Sequence, residues 1–256
     1  FPVGFFAGLF GIGGGLITVP FLFFIFESLN VDPNYLMHLA VGTSFSIIIP
    51  TSGVSVYTHK KHNAVNLSII KSYGLFVILG VLSGTIFAAA LDTKSLLLFF
   101  TVIVYFLGAY LLNLKDKASK IKANFNLLPR VVFGFASGFI SAPMGIGGAV
   151  MNVPILRYFG YPINKAIGSA AAIGLIIASF GAIGFLITGS YLNVNLPLSI
   201  GFINIPAFLI FIPITMFMAR VGANTVHKLN KSKIQKFFGI FLYVVGTIFL
   251  YRYLVI

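Results

Sequence analysis

The sequence predicts an all-α polytopic membrane protein built from two inverted repeats, each a re-entrant or broken helix hairpin plus three transmembrane helices. The first observation is composition: the 256 residues are 59% hydrophobic and 8% charged, whereas soluble domains carry roughly 25% charged residues. The second is a series of eight long apolar stretches, and the third is a glycine-rich motif that occurs twice. A mean hydropathy of +1.04 leaves too few polar residues to cover a surface that faces water.

Eight apolar stretches follow one another along the chain. Each is long enough to be a membrane segment, since about 20 apolar residues span a bilayer core of ~30 Å. They are apolar on every side, which predicts helices, and they lack the alternation that a transmembrane β-barrel requires. The stretches are 1–26, 36–57, 67–91, 95–113, 129–159, 163–189, 196–220 and 233–255.

Two motifs recur in the same order in the two halves of the chain, which indicates an internal duplication. The first, GIGGGLITVP at residues 11–20, is matched by GIGGAVMNVP at residues 145–154, with six of the ten positions identical. The second, AVGTS at 40–44, is matched by AIGSA at 166–170. A hydrophilic segment between the halves predicts an N-terminal repeat (1–113), a cytoplasmic linker (114–128) and a C-terminal repeat (129–256).

The lysines and arginines favour a topology in which the glycine stretches, 1–26 and 129–159, do not cross the membrane. If all eight stretches cross, nine Lys and Arg lie on one side and eight on the other, without the cytoplasmic excess expected of membrane proteins. If both glycine stretches enter to mid-depth and return, fifteen lie inside and two, Lys94 and Arg252, lie outside. Each half then crosses three times, so the halves are inverted. A spanning helix kinked at glycine is the alternative.

Glycine turns at membrane depth predict a binding site, because non-helical backbone there is tolerated only where protein buries it or where it lines a cavity. The helix that leaves each turn has a positive dipole end, which attracts an anion. Packing of the glycines against neighbouring helices is the alternative role. The predicted donors are backbone amides of the glycines and nearby hydroxyl or amide side chains: Gly13, Gly14, Gly15, Gly147 and Gly148, with Thr18, Thr43, Ser44, Asn152 and Ser169.

Residue types and positions disfavour other chemistries. Cysteine is absent, and Glu27, Asp32, Asp92 and Asp116 fall at segment ends or in loops, as do the four histidines. A proton relay, a metal site or a catalytic dyad is hard to build from these residues, so the sequence predicts no enzyme activity, no metal and no cofactor. The net charge of +13 is attributed to cytoplasmic loops and lipid headgroups rather than to nucleic-acid binding. A small anion and membrane lipid are the expected partners.

The paired glycine motif and the Ala-x-Gly-Thr-Ser motif at residues 40–44 resemble the sulfite exporter TauE/SafE family over essentially the whole chain. The resemblance implies transport of small sulfur-containing anions, such as sulfite or organosulfonates, usually outward across the bacterial inner membrane. The second half has Ala149 at the position of Gly15 and Ala170 at that of Ser44, so the two sites are not equivalent. The alternatives are a small-anion channel and a membrane enzyme or assembly subunit without transport activity.

Overall fold

The computed structural model of the chain describes residues 4–5, 14–113, 125–225 and 231–255. Apart from two helical residues at 4–5, the helices in chain order are α1 (Gly15–Ser28), α2 (Leu36–Lys61), α3 (Leu67–Ala89), α4 (Thr93–Asn113), α5 (Leu127–Met144), α6 (Ala149–Tyr158), α7 (Ile163–Tyr191), α8 (Ile205–Thr225) and α9 (Lys231–Val255). A short 3₁₀ turn (Pro33–Tyr35) precedes α2, and an antiparallel hairpin of β1 (Ser199–Ile200) and β2 (Ile203–Asn204) precedes α8.

Seven of the described helices are long and apolar enough to cross a bilayer, which confirms the predicted all-α polytopic membrane fold. The two shorter ones are α1, with 14 residues, and α6, with 10. At ~1.5 Å per residue they are about 21 and 15 Å long, less than a hydrocarbon core of ~30 Å. Both begin inside a glycine motif, where the sequence predicted broken or re-entrant segments.

The second glycine motif breaks the helix, as the sequence predicted. α5 ends at Met144, and the turn 145–148 separates it from α6. Gly145 and Gly148 have φ angles of 62° and 65°, left-handed values that glycine adopts easily and that end a helix. With 18 residues, α5 is itself one of the seven candidate spans, so re-entry of this segment stays a prediction.

The predicted stretch 196–220 is not helical over its first residues. Residues 199–204 form the β-hairpin, and α8 begins at Ile205. Leu198 and Gly201 have positive φ angles of 52° and 54°, which interrupt a helix. Asn204 then caps α8, because its Oδ1 accepts a hydrogen bond from the N–H of Ala207 at 3.0 Å. Hydropathy alone placed the segment boundary too early, since backbone conformation and capping determine where the helix begins.

The helices pack in matched sets across the two halves. α3 packs on α7 as α8 packs on α2, α1 packs on α2 as α6 packs on α7, and α2–α7 and α4–α9 join the halves directly. The pairing of α3 with α5 brings the two backbones together: a Cβ on Gly80 would collide with the carbonyl of Phe135, and one on Gly138 with that of Val77. These glycines allow the two helices to pack closely against each other.

Candidate functional site

Gly14 and Gly148 occupy equivalent positions in the two halves, and each forms the N-cap of a short helix. Their φ angles are 83° and 65°, and neither α1 nor α6 has a side chain that caps its first turn. Gly14, Gly15 and residues 145–149 are all buried. A buried, uncapped helix N-terminus leaves backbone N–H groups without acceptors, and such ends bind anions. The site therefore consists first of two buried sets of backbone amides that no cap side chain pairs, at the starts of α1 and α6.

Thr18 and Asn152 are equivalent in the two repeats, and each binds its own cap glycine. The Thr18 hydroxyl donates to the carbonyl oxygen of Gly14 at 3.0 Å, and Asn152 Nδ2 donates to that of Gly148 at 2.8 Å. Both side chains are fully buried. The sequence predicted them as donors to an anion, whereas their observed partners are the cap carbonyls. In this structure they fix the shape of the turns that present the backbone amides.

The two glycine turns lie against each other. A Cβ on Gly15 would collide with the carbonyl of Gly145 and would lie 2.7 Å from the Cα of Ile146. Ser44, on α2, donates to the same Gly145 carbonyl oxygen at 2.9 Å. The structure thus brings the predicted residues Gly15 and Ser44 to the second turn. The contact also explains the difference between Gly15 and Ala149, because the backbone beside Gly15 leaves no room for a methyl group.

Thr43 and Ser169 make a second matched pair of contacts, which we name the crossed cap bonds. The Thr43 hydroxyl accepts from the N–H of Asn204 at 2.9 Å, and the Ser169 hydroxyl accepts from the N–H of Asn66 at 3.0 Å. Asn66 and Asn204 cap α3 and α8 through their own side chains. Each bond therefore joins one half to a helix cap of the other half. The observed partners of these two predicted residues are helix caps and not the glycine turns.

A polar cluster around Asn152 goes beyond what the motifs predicted. Asn152 Oδ1 accepts hydrogen bonds from Tyr73 at 2.8 Å and from Ser137 at 3.0 Å, and all three side chains are fully buried. The Tyr73 hydroxyl also lies 3.0 Å from the carbonyl oxygen of Phe133. Ser137 and Ser141 precede the second motif with i, i+4 spacing, which puts both hydroxyls on one face of a helix. The sequence alone could therefore have indicated these two members of the polar region. Tyr73 is on a separate helix, and only the fold brings it here.

The described acidic residues lie at helix ends. Glu27 forms an ion pair with Arg252 at 2.9 Å, and Asp32 caps the 3₁₀ turn. Asp92 caps α4, where hydrogen bonds from Ser95 lower the pKa of its carboxyl below the usual value. The buried polar side chains in the described part of the chain carry hydroxyl, amide or imidazole groups. The chemistry available around the turns is therefore hydrogen bonding by neutral donors.

Two histidines depart from the expectation that all four are peripheral. His38 and His59 lie near the ends of α2, as expected, but both are buried inside the protein.

Two other sequence predictions concern residues outside the described ranges: the amide of Gly13 and the loop position of Asp116. The candidate site is therefore built from Gly14, Gly15 and the second turn.

Comparison with known proteins identifies the family. A family model described as sulfite exporter TauE/SafE matches residues 1–249. The chain is 34% identical over 245 residues to a probable membrane transporter protein of Haemophilus influenzae, covering 95% of this chain and 92% of the relative. It is 28% identical over 260 residues to a probable membrane transporter protein of Methanocaldococcus jannaschii, covering 98% and 92%. No solved structure matches the chain. The protein, a multi-pass membrane transporter, belongs to the sulfite exporter TauE/SafE family.

Proposed function

We propose that this membrane transporter carries small sulfur-containing anions, such as sulfite or organosulfonates, outward across the cell inner membrane, and that it performs no catalysis. The observation that carries the proposal is the pair of buried, uncapped helix N-termini at Gly14 and Gly148. Such an oxyanion offers acceptors only, and amide and hydroxyl donors satisfy it without a fixed counter-charge. The family's description supports sulfite as the first substrate to test.

Transport follows from movement of one half against the other around the paired turns. The matched helix contacts and the crossed cap bonds support two equivalent halves. In the proposed arrangement the halves are inverted, so that α1 and α6 approach the anion from opposite sides of the membrane. Because the turns are buried, opening toward either side requires a relative displacement of helices that pack on them. This is alternating access.

Export needs no proton coupling in this proposal. Moving one negative charge out of a cell with a negative interior releases about 2.3 kcal/mol per 100 mV, and a dianion releases about twice that. The carboxylates of Glu27 and Asp32 lie at helix ends, and neither residue is buried. We therefore expect uniport. Strict proton antiport that is lost when Glu27 or Asp32 is neutralised would contradict this part of the proposal.

The function is tested by sulfite flux in proteoliposomes. Vesicles that contain the purified protein are loaded with sulfite, and efflux is followed with and without a potassium-valinomycin potential. We expect saturable efflux that a negative interior accelerates, and none from protein-free vesicles. Currents that do not saturate with sulfite would instead identify a channel. No flux of sulfite, thiosulfate, taurine or sulfoacetate would overturn the proposal.

The inverted arrangement is tested with single cysteines at Ser119 and Ser232, because the chain has no native cysteine. If both glycine segments re-enter, both positions are expected to react with an impermeant maleimide from the cytoplasmic side only. If both segments cross, the two positions react from opposite sides. Lys94→Cys is the control, since both topologies place residue 94 outside.

A further inference from the structure

Ser141 is a buried hydroxyl beside the second glycine turn, and it has no hydrogen-bond partner among the described residues. Its side chain, on α5, is fully buried. A Cβ built on Gly148 would lie 3.0 Å from Ser141 Oγ and 3.1 Å from Asn152 Nδ2. Ser141 Oγ is therefore directly beside the residue that caps α6, where the uncapped backbone amides begin.

Many other helical hydroxyls in the described part of the chain are satisfied by the backbone, although Ser52, Ser55 and Thr101 also lack a partner there. Thr51 donates to the carbonyl oxygen of Ile47 at 2.8 Å, and Ser179 donates to that of Leu175 at 2.8 Å. This i to i−4 bond is the usual solution for a serine or threonine in an apolar environment. A buried hydroxyl without a partner is unfavourable, so the position of Ser141 beside unpaired amides points to a ligand that accepts from both.

The polar cluster at the second turn has only a partial counterpart at the first turn. Aligning the glycine motifs places Ala7 at the position of Ser141 and Val3 at that of Ser137. Aligning the caps Asn66 and Asn204 places Phe211 at the position of Tyr73. Of the four aligned positions in the sequence, Thr18 alone is polar, whereas the N-terminus of α6 has Tyr73, Ser137, Ser141 and Asn152 beside it.

We propose that the anion binds on one side of the paired turns, at the N-terminus of α6, with the Ser141 hydroxyl as a direct donor. This deepens the proposed function and rests on it. One oxygen of the anion accepts from Ser141, and another accepts from the amides of the first turn of α6. The ligand class is a small oxyanion with at least two acceptor oxygens, so that the hydroxyl and the amides each donate to an oxygen of their own. Asn152, Ser137 and Tyr73 are positioning residues that hold the turn.

The test compares Ser141→Ala with Thr101→Ala in purified protein in lipid nanodiscs. Thr101, on α4, is also buried and also lacks a partner for its hydroxyl, so both variants remove an unsatisfied buried group. Sulfite binding is measured by calorimetry and unfolding by thermal scanning. We expect Ser141→Ala to bind sulfite roughly tenfold or more weakly, the loss expected for a charge-assisted hydrogen bond, while both variants unfold at or above the wild-type temperature. Thr101→Ala keeps wild-type affinity.

The outcomes separate this inference from the proposed function. If the wild-type protein binds sulfite and Ser141→Ala binds it equally well, the assignment of Ser141 is wrong and the transport proposal stands. If the wild-type protein binds none of sulfite, thiosulfate, taurine and sulfoacetate, the transport proposal fails. A much lower unfolding temperature for Ser141→Ala alone would mean that the hydroxyl has a partner in the protein, which also overturns the assignment. Ser141→Cys, which replaces the hydroxyl with a slightly larger group that is a weaker donor, is expected to have intermediate affinity.

Discussion

Replacing Gly15 with alanine is expected to lower sulfite efflux by roughly tenfold or more, equivalent to about 1.4 kcal/mol in the barrier. The added Cβ would collide with the carbonyl of Gly145 and lie 2.7 Å from the Cα of Ile146, where non-bonded carbon atoms need about 3.5–4.0 Å. Both obstacles are backbone, which cannot rotate away as a side chain can. The start of α1 must then move away from the second turn, and the backbone amides of α1 and α6 no longer point at the same anion.

Two matched variants isolate the effect of Gly15→Ala. Gly53→Ala adds the same methyl group to α2, at a position where nothing lies within 4 Å of the new Cβ. Ala149→Gly makes the reverse exchange at the equivalent position of the second half. We expect both to keep efflux within about twofold of wild type, since neither forces the turns apart. Efflux from Gly15→Ala equal to that from Gly53→Ala would show that contact between the turns is not needed for transport.

Replacing Asn152 with aspartate is expected to abolish detectable efflux. The substitution keeps the shape of the side chain and leaves an oxygen to accept from Tyr73 and Ser137. It replaces the donor to the Gly148 carbonyl, now 2.8 Å away, with a second acceptor, and it adds a negative charge beside an anion site. Two acceptors facing each other repel, and a buried carboxylate without a counter-charge is costly. Flux measurements in proteoliposomes, alongside thermal unfolding, test this expectation.

Asn152→Ala and Tyr73→Phe separate the role in folding from the role in binding. Asn152→Ala leaves buried donors and an acceptor unpaired, so we expect it to lower the free energy of unfolding by about 2–4 kcal/mol. Tyr73→Phe removes one of the two hydroxyls that Oδ1 accepts from and should cost less. In a double-mutant cycle the two should couple by about 0.5–3 kcal/mol, as residues in one hydrogen-bond network do. Full activity of Asn152→Asp at wild-type stability would exclude Asn152 from the site.

The sequence predicted the membrane helices because hydropathy depends on composition alone, and it predicted the break at residues 145–148 because clustered glycines end helices. The sequence predicted Gly15 and Ser44 as parts of one anion site, and in the structure both contact the second turn. It did not predict that Thr18 and Asn152 bind cap carbonyls. A hydroxyl or amide beside a turn can donate equally well to a nearby carbonyl oxygen or to an anion, and the sequence does not distinguish these acceptors. Tyr73 was missed because a helix elsewhere in the chain supplies it, and no local pattern encodes that contact.

The crossed cap bonds bear on how the chain is made and inserted. The N–H of Asn66, at the start of α3, is satisfied by Ser169, which lies 103 residues later. During synthesis the Ser169 hydroxyl is not available to this donor until α7 has left the ribosome, and the Thr43 hydroxyl is likewise without the Asn204 N–H until the start of α8 is made. Each half caps its own helix through an asparagine side chain, but the backbone N–H of that asparagine is paired only when the other half is present. The two bonds can therefore form only after α7 and the start of α8 have been synthesised.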